Sequence, residues 1–363
     1  MDAKSIRSAV FWDDTNCSVA GDPYGLADIH VAGGCVLFLT SGSTGGGKCI
    51  VLGKIGLLVS ARAVNAWLGV DAKSVWGLAL PIDHVGGFGV VARAYVADCG
   101  LSVYDGKWDT GRFVESMARE RVTHVSLVPT QLHDLVEAEL RAPESLKAVV
   151  IGGGRLSETL GQAARDLGWP VLASYGMTEA GSQIATQRME DLGKPFSEGL
   201  MELLPIWEVA ESAEGLLRLR GDALLVGTVE RGNFLKREEQ WFTTRDRIAV
   251  SGNTILPLGR ADSMVKVMGE LVDLEAVEKR FLEIAGDRVS EKEFVVVALP
   301  DLRKEHVLVA VFEGEINGGC VEEYNGQVSG IERLEDTFTV REFPRSSLGK
   351  VKRGILLEMC GEK

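Results

Sequence analysis

The stretch Thr40-Ser-Gly-Ser-Thr-Gly-Gly-Gly-Lys48 follows the apolar run Val36–Leu39, as a loop follows a buried strand. Glycines let the backbone approach an anion closely, and consecutive N–H groups, hydroxyls and a lysine can all donate hydrogen bonds to it. The pattern therefore predicts a phosphate-binding loop. Its candidate donors are Ser41, Gly42, Ser43, Thr44, Gly45 and Lys48.

Two other interpretations of this loop stay open at this point. Gly42 to Lys48 matches the Walker A pattern of nucleoside triphosphatases, but Cys49 stands where that pattern has Ser or Thr. A thiol is a poor ligand for Mg²⁺, which prefers oxygen, so the metal-holding hydroxyl would be missing. A flexible Gly/Ser surface linker has a similar composition.

Length and composition predict a globular protein of two domains. The chain has 363 residues, of which 45% are hydrophobic and 25% charged, and single cores usually stop growing at about 250–300 residues. No segment has the ~18 uninterrupted apolar residues of a membrane span, and Val85–Val96 is short and contains Arg93. Because the N-terminus lacks an apolar signal core, we expect a cytoplasmic protein.

Charge and cysteine usage narrow the class of partner. The formal net charge of −13 argues against nucleic-acid binding, which needs basic surfaces. The six cysteines include no C-x-x-C pair, so we expect reduced thiols and neither a disulfide framework nor a zinc site. Anionic ligands must then meet local positive features, such as backbone N–H groups and single Lys or Arg side chains.

Residues 36 to about 175 alternate between β-type and helix-like runs, which predicts an α/β domain with a parallel or mixed sheet. Ligands bind such sheets at the carboxyl ends of the strands. The predicted strands there are Val36–Leu39, Val75–Leu80, His124–Leu127 and Ala148–Ile151, and the predicted helices are Leu57–Leu68, Phe113–Arg121, Gln131–Leu140 and Leu160–Leu167.

The sequence pattern changes in the second part of the chain. Short, turn-punctuated runs from Gly199 to Val250 predict a β subdomain. After Gly259-Arg-Ala-Asp262 the pattern predicts a small α+β domain. Its predicted elements are a helix over Leu271–Leu282 and strands over Phe294–Leu299 and His306–Phe312. We therefore predict a large domain over residues 1–261 and a small one over 262–363.

Five motifs, taken in their order along the chain, indicate a protein family. Ser174-Tyr-Gly-Met-Thr-Glu179 offers an aromatic ring for a base, a hydroxyl for a phosphate and a carboxylate for Mg²⁺. It follows the glycine loop and precedes Trp241–Asp246, Gly259–Asp262 and Pro344–Lys350. From residue 36 to about 355 the chain thus resembles the adenylate-forming superfamily of acyl-CoA synthetases, nonribosomal adenylation domains and luciferases.

Within that superfamily, three stretches resemble o-succinylbenzoate-CoA ligases of menaquinone synthesis: Pro81–Arg93, Ser126–Thr130, and Tyr175–Thr186 with Gly193-Lys-Pro195 after it. The resemblance implies that a small carboxylic acid reacts with ATP to give acyl-AMP and pyrophosphate, and that coenzyme A then displaces AMP. It implies ATP, Mg²⁺ and coenzyme A as cofactor and co-substrates. An adenylating enzyme for another aryl or acyl acid, acyl transfer to a carrier protein, and a non-catalytic nucleotide-binding relative stay open.

The same resemblance assigns nucleotide-binding roles. Ser41, Ser43, Thr44 and Lys48 would hold the β- and γ-phosphates, Thr178 the α-phosphate, and Glu179 the Mg²⁺. Asp246 would accept hydrogen bonds from the ribose hydroxyls, with Arg260 beside it. The adenine-side residues it implies are Gly152, Gly153, Gly154, Ser174, Tyr175 and Gly176.

The remaining roles concern the acid and the small domain. Lys350 would bridge the substrate carboxylate and the nucleotide, and Asp262 matches the hinge about which the small domain rotates. A second carboxylate needs a cation, and Arg93 is the candidate, although it could equally pair with an acid of the fold. The other candidate acid-binding residues are His84, Thr130, Ser182 and Gln183; His84 could equally be a core histidine.

The chain departs from the family pattern in four places. The family usually carries a longer portion before the phosphate loop, and its loss would expose apolar surface and favour a homodimer. Arg245 replaces the usual glycine before Asp246, and Gly47 stands where proline is common. The stretch Lys266–Asp273 keeps the glycine of the thioester-forming loop with only partly matching flanks, which leaves the thiol acceptor open.

Overall fold

The computed structural model describes residues 1–20, 33–40, 48–230, 232–314, 319–346 and 349–361. The chain divides into two compact units. The first comprises Met1–Thr244 and Ile248–Pro257, and the second comprises Arg245–Arg247 and Leu258–Lys363. The second unit thus begins slightly before the boundary predicted at residue 262 and includes three residues of an earlier strand.

The helices of the first unit begin and end at recognisable signals. Asp109 accepts a hydrogen bond from the Arg112 N–H at the start of α5, and Gly69, with φ +65°, ends α3. Among the described residues, no helix combines the length and apolar character that a membrane crossing requires. The helices are α1 (Ala3–Ile6), α2 (Ala9–Asp13), α3 (Lys54–Leu68), α4 (Val85–Val96), α5 (Thr110–Arg119), α6 (Pro129–Glu137) and α7 (Glu158–Asp166).

The strands up to residue 260 form two sheets. In chain order they are β1 (Ser18–Ala20), β2 (Cys35–Thr40), β3 (Lys48–Gly53), β4 (Val75–Leu78), β5 (Gly100–Val103), β6 (His124–Leu127), β7 (Ala148–Ile151), β8 (Val171–Met177), β9 (Ser182–Thr186), β10 (Met201–Leu203), β11 (Glu208–Glu211), β12 (Leu216–Arg220), β13 (Gly227–Glu230), β14 (Asn233–Lys236), β15 (Phe242–Ser251) and β16 (Thr254–Arg260). One sheet has the order β1-β2-β3-β13-β14 and the other β11-β12-β15-β16-β10-β9-β8-β7-β6-β4-β5.

The parallel part of the large sheet positions the candidate site. Strands β4, β6, β7 and β8 run parallel, so their carboxyl ends lie at one edge. Every residue of β6 and β7 is buried, as expected for strands covered on both faces. The β8–β9 pair then turns antiparallel, and β9 continues into β10 and β16.

The second unit is α+β. Its helices are α8 (Leu274–Ala285), α9 (Cys320–Asn325) and α10 (Arg353–Gly361), and its strands are β17 (Met264–Val267), β18 (Glu270–Asp273), β19 (Phe294–Asp301), β20 (Glu305–Glu313) and β21 (Leu334–Val340). Strands β17 and β18 form a hairpin, and β19, β20 and β21 form a three-stranded sheet. Together with the mixed sheets of the first unit, this confirms the predicted fold class.

The helix predicted over Leu271–Leu282 is wrong at its start. Residues 270–273 pair with 264–267 as a strand, and α8 begins only at Leu274. The hairpin turns on Met268 and Gly269, both with positive φ, which is the geometry of a two-residue hairpin loop. The Asp273 side chain then caps α8 by accepting from the Glu275 N–H.

Candidate active site

In the sequence, the predicted phosphate loop follows one strand of an antiparallel pair and precedes the other. Thr40 ends β2 and pairs with Lys48, which begins β3. Ser41, Gly42, Ser43, Thr44, Gly45 and Gly47 lie outside the described residues. The Lys48 Nζ atom is 3.2 Å from a carboxylate oxygen of Glu230, and both side chains are nearly half exposed. Such an exposed ion pair is weak, so it would yield readily to a phosphate group.

The glycine turn after β7 closely approaches the segment after β6. The Gly152 N–H donates to the Leu127 carbonyl across 3.1 Å. Gly153 has φ +77°, a left-handed conformation that favours glycine. A Cβ atom added at Gly154 would lie 3.3 Å from Pro129, the first residue of α6. The turn therefore presents backbone, and no side chain, at the carboxyl edge of the sheet.

A tight crossing of β8 and β9 forms the next part of this edge. The pairing shifts between Tyr175 and Gly176, so that Gly176 faces Gln183 and Met177 faces Ser182. A Cβ atom at Gly176 would lie 1.8 Å from the Ser182 carbonyl oxygen, which only a glycine avoids. Ser182 itself has φ +113°, a strained conformation for a residue with a side chain.

Thr178 and Glu179 lie in a short 3-10 turn directly after β8. The Thr178 carbonyl accepts from the Gly181 N–H, and the Glu179 carbonyl accepts from the Leu225 N–H. Both residues remain partly exposed, so their side chains can meet a ligand. A hydroxyl and a carboxylate on one rigid turn are suited to a phosphate oxygen and to Mg²⁺, respectively.

Arg93 lies on α4 and is almost completely buried, with 2% of its surface exposed. Its Nη1 atom donates to Ser126 Oγ across 3.2 Å, and Nη2 donates to Ser182 Oγ across 3.4 Å. In the described part of the chain no carboxylate lies within 4.0 Å of the guanidinium, and Nε has no hydrogen-bond partner there. The alternative that Arg93 pairs with an acid of the fold therefore finds no support among these residues.

The surroundings of Arg93 are apolar or already hydrogen-bonded. The guanidinium lies over the Trp76 ring at 5.3 Å, and the Trp76 indole N–H donates to Asn65. The Asn65 amide in turn donates to the Arg93 carbonyl. Burial lowers the pKa of Arg93 to about 9, which leaves the side chain charged at neutral pH. An uncompensated buried cation is costly, so this arrangement favours an anionic ligand.

The other predicted acid-binding residues lie on neighbouring elements. His84 is the residue before α4 and Thr130 is in the first turn of α6; both are partly exposed. Gln183 is buried, its Nε2 atom donates to Thr186, and its Oε1 atom has no hydrogen-bond partner among the described residues. No contact between Arg93 and either His84 or Thr130 is among those described.

The second unit brings Asp246 and Arg260 together. The Arg260 Nη1 atom donates to Asp246 Oδ1 across 3.0 Å, and the Asp246 residue is buried whereas the Arg260 side chain is half exposed. Arg245 lies on the exposed face of β15, whereas Asp246 lies on its buried face. The bulk of Arg245 therefore points away from the carboxylate.

The charges of Arg260 and Asp246 also act on Lys350. The pKa of its ammonium is lowered, first because protein atoms displace water from it and then because Arg260 places a positive charge nearby; Asp246 opposes both effects. The residue as a whole remains exposed, so solvent screens part of this shift. Lys350 ends a turn in which the Ser346 and Lys350 backbones are hydrogen-bonded.

Asp262, the predicted hinge, lies in the 3-10 turn between β16 and β17.

Reasoning from the sequence missed two residues that support the site. Ser126 holds Arg93 from β6, and Glu230 pairs with Lys48 from β13. The first left a signal, because Ser126 is a polar residue inside the otherwise apolar strand interior Val125–Leu127. Glu230 left none, because it lies far from Lys48 in sequence and meets it only through the β3–β13 pairing.

In the first unit, a glycine turn and a hydroxyl–carboxylate turn at the carboxyl edge of the sheet are suited to a ligand that carries phosphate groups. Residues 27–227 match the family described as AMP-binding enzyme. Because this match covers more than half of the 363 residues, the chain belongs to that family. The resemblance predicted from the five motifs is thereby confirmed.

Two relatives of the chain share one name. The chain is 26% identical over 333 residues to the 2-succinylbenzoate–CoA ligase of Enterococcus faecalis, covering 87% of this chain and 68% of the relative. It is 31% identical over 285 residues to that of Escherichia coli K12, covering 77% and 58%. A solved structure of an arginine-to-lysine variant of E. coli MenE with bound OSB-AMS has a TM-score of 0.75 and 26% identity, covering 90% and 69%. The chain thus spans roughly three fifths to two thirds of the length of these proteins.

Proposed function

We propose that this chain is an ATP-dependent acid–CoA ligase that acts through an acyl-AMP intermediate, with o-succinylbenzoate as its acid. The observation that carries the choice of acid is Arg93, a buried cation that no described carboxylate neutralises. An acid with two carboxylates supplies one to react and a second to meet this cation. The printed names of the relatives support the same choice.

In the first half-reaction, a carboxylate oxygen of the acid bonds to the α-phosphorus of ATP while the bond to the bridging oxygen breaks and pyrophosphate leaves. Two anions must meet, so alignment and charge neutralisation carry the catalysis. Thr178 would donate to the α-phosphate, and the Lys350 ammonium would neutralise charge at the forming bond. In the second, the coenzyme A sulfur bonds to the acyl carbon, its proton is released to solvent, and AMP leaves.

The remaining ligands of the reaction are assigned to residues named by the family resemblance. The partly exposed Glu179 carboxylate is the oxygen ligand that Mg²⁺ prefers, and it would hold the ion that neutralises the phosphates. Asp246 would accept from the ribose hydroxyls, and the turn at Gly152–Gly154 with Tyr175 would flank adenine. Ser41, Ser43, Thr44 and Lys48 would hold the outer phosphates, and Asp262 would serve as the hinge.

Two further features belong to this proposal. We infer a cytoplasmic location, because the structure pairs none of the six cysteines in a disulfide. We also infer a homodimer, because the surface between α3 and the segment after β10 is apolar around Val59, Ala63, Trp67 and Ile206. Size-exclusion chromatography with light scattering tests the dimer, and a monomeric mass at micromolar concentration contradicts it.

The deciding experiment is product analysis by mass spectrometry after incubation with ATP, Mg²⁺, coenzyme A and single acids. We expect AMP and the acyl-CoA ester with o-succinylbenzoate, and neither product with benzoate. AMP with another acid but none with o-succinylbenzoate would overturn the choice of acid. ATP binding without AMP from any acid would overturn the ligase proposal.

A further inference from the structure

Lys350 belongs to a turn of the second unit, which we call the lysine turn and define by Arg345, Ser346, Gly349, Lys350 and Val351. The Ser346 N–H donates to the Lys350 carbonyl across 2.8 Å, and the Lys350 N–H donates to the Ser346 hydroxyl across 3.2 Å. Arg345 and Val351 form an isolated antiparallel bridge. These contacts shape the turn, but they lie within it and so do not fix it to the sheet of the second unit.

The Arg345 side chain connects the lysine turn to that sheet. Its Nη1 atom donates to the Gly349 carbonyl across 3.2 Å. Its Nη2 atom donates to the Glu313 carboxylate across 2.8 Å and to the Lys292 carbonyl across 2.6 Å. Glu313 ends β20, and Lys292 lies two positions before the start of β19. One guanidinium therefore spans the residue before Lys350 and two neighbouring strands.

The anchor at Glu313 is itself held in place. Its carboxylate accepts from the Phe343 N–H across 3.2 Å, and the Phe343 ring is buried in an apolar cluster that includes Val309. The Arg345 guanidinium lies over that ring at 5.4 Å. Only 25% of the Arg345 side chain and 26% of the Glu313 side chain are exposed. Solvent therefore screens this ion pair less than it screens a fully exposed pair.

We propose that Arg345 is a positioning residue, which is anchored on Glu313 and fixes the lysine turn so that the Lys350 ammonium meets the bond forming between acid and α-phosphorus. This role rests on the proposed ligase function. Arg345 acts through the Gly349 carbonyl and contacts neither substrate. Because a displacement of about 1 Å can cost a reaction roughly a hundredfold in rate, a loosened turn should slow adenylation.

The test is pyrophosphate release by Arg345→Ala in two backgrounds. In the wild-type background we expect kcat to fall about tenfold and KM for ATP to change less than about twofold. In the Lys350→Ala background the same substitution should change the remaining rate less than about twofold, because no ammonium is left to position. The matched control is Arg280→Ala, which breaks an ion pair with Glu332 in the same unit and should leave kcat unchanged.

A second variant separates positioning from stability. Arg345→Lys keeps a positive charge beside Glu313 but replaces the planar fork of donors by one ammonium, which cannot span Gly349 and Glu313 in the same way. We expect it to melt close to the wild type and still to lose part of the adenylation rate. Should Arg345→Ala not fold, Arg345→Lys carries the comparison between the two backgrounds.

An unchanged kcat in the arginine variants overturns the proposal, and so does a loss of the same size in the Lys350→Ala background. A wild type that makes no AMP overturns the ligase proposal instead. Deuterium exchange of the peptide over residues 344–352 then decides the anchoring, because it needs no activity. Arg345→Ala must exchange faster there than the wild type and Arg280→Ala, and equal exchange overturns the anchoring.

Discussion

Arg260 donates to Asp246 across 3.0 Å, and both side chains belong to the second unit. The pair joins neighbouring strands of the large sheet, since Asp246 lies on β15 and Arg260 ends β16. A carboxylate has two oxygens, each able to accept more than one hydrogen bond, so this contact is compatible with ribose binding. The hydrogen bond from the arginine restricts the orientation of the carboxylate.

Replacing Asp246 by alanine should therefore weaken ATP binding. We expect the dissociation constant to rise at least about tenfold, because hydrogen bonds to a charged acceptor are lost. Isothermal titration calorimetry measures it directly. Asp336→Ala, which removes an exposed carboxylate from β21 of the same unit, is the matched control. Equal affinities of the two variants would contradict the assignment of Asp246.

Lys350→Ala should slow adenylation and spare ATP binding. We expect the rate of pyrophosphate release to fall by about a hundredfold or more, the usual cost of removing one group that stabilises transition-state charge. Lys352→Ala is the control, because Lys352 is an exposed lysine two positions further on. A non-catalytic nucleotide-binding protein would instead show no difference between the two variants.

Acid should destabilise the first unit through His124. This residue is fully buried, and burial lowers the pKa of its imidazole to about 4 from an ordinary 6.5. Below pH 6.5 the unfolded chain therefore binds a proton that the folded chain binds only near pH 4. The free energy of unfolding should fall by up to about 3 kcal/mol as the pH falls through this window.

Urea unfolding followed by tryptophan fluorescence measures this effect, because all seven tryptophans precede Thr244 and so report on the first unit. His124→Gln should show a smaller loss between pH 6.5 and 4, whereas His306→Gln, in the second unit, should behave like the wild type. The same pH dependence in His124→Gln as in the wild type would rule out His124 as the cause.

Gly176→Ala should disrupt the crossing of β8 and β9. The new methyl group would lie 1.8 Å from the Ser182 carbonyl oxygen, so one strand must shift. We expect a loss of about 1–3 kcal/mol in unfolding free energy, typical of overpacking, and a drop in adenylation because Thr178 and Ser182 move with the strands. Gly193→Ala is the control, since its methyl group would meet nothing within 4 Å. Equal stability of both variants would show that the crossing tolerates a side chain.

The sequence predicted the parallel core well because the strands there are short and mainly apolar runs. Both His124–Leu127 and Ala148–Ile151 have the predicted bounds. Prediction from the sequence failed where pairing between strands overrides the local pattern. Residues 270–273 are compatible with a helix in isolation and become a strand only because Met264–Val267 lies beside them.

In the candidate site, too, local motifs could be predicted and contacts that depend on strand pairing could not. Motif residues such as Thr178 and Glu179 were predicted from their order along the chain, and the structure places them at the end of β8. The hydrogen bonds of Arg93 could not be predicted, because its partners Ser126 and Ser182 are 33 and 89 positions away. Such contacts depend on which strands become neighbours and leave no local spacing to detect.

The positions of the six cysteines allow the unfolding of each part of the chain to be followed by alkylation. Cys17 is partly exposed and the other five cysteines are buried, and burial raises the pKa of Cys17 to about 11. Alkylating reagents attack thiolates, so iodoacetamide should modify the folded chain slowly and each cysteine rapidly once it is released. Cys99 belongs to one unit and Cys320 to the other. Peptide mapping of alkylated samples over time would therefore measure the rate at which each unit unfolds.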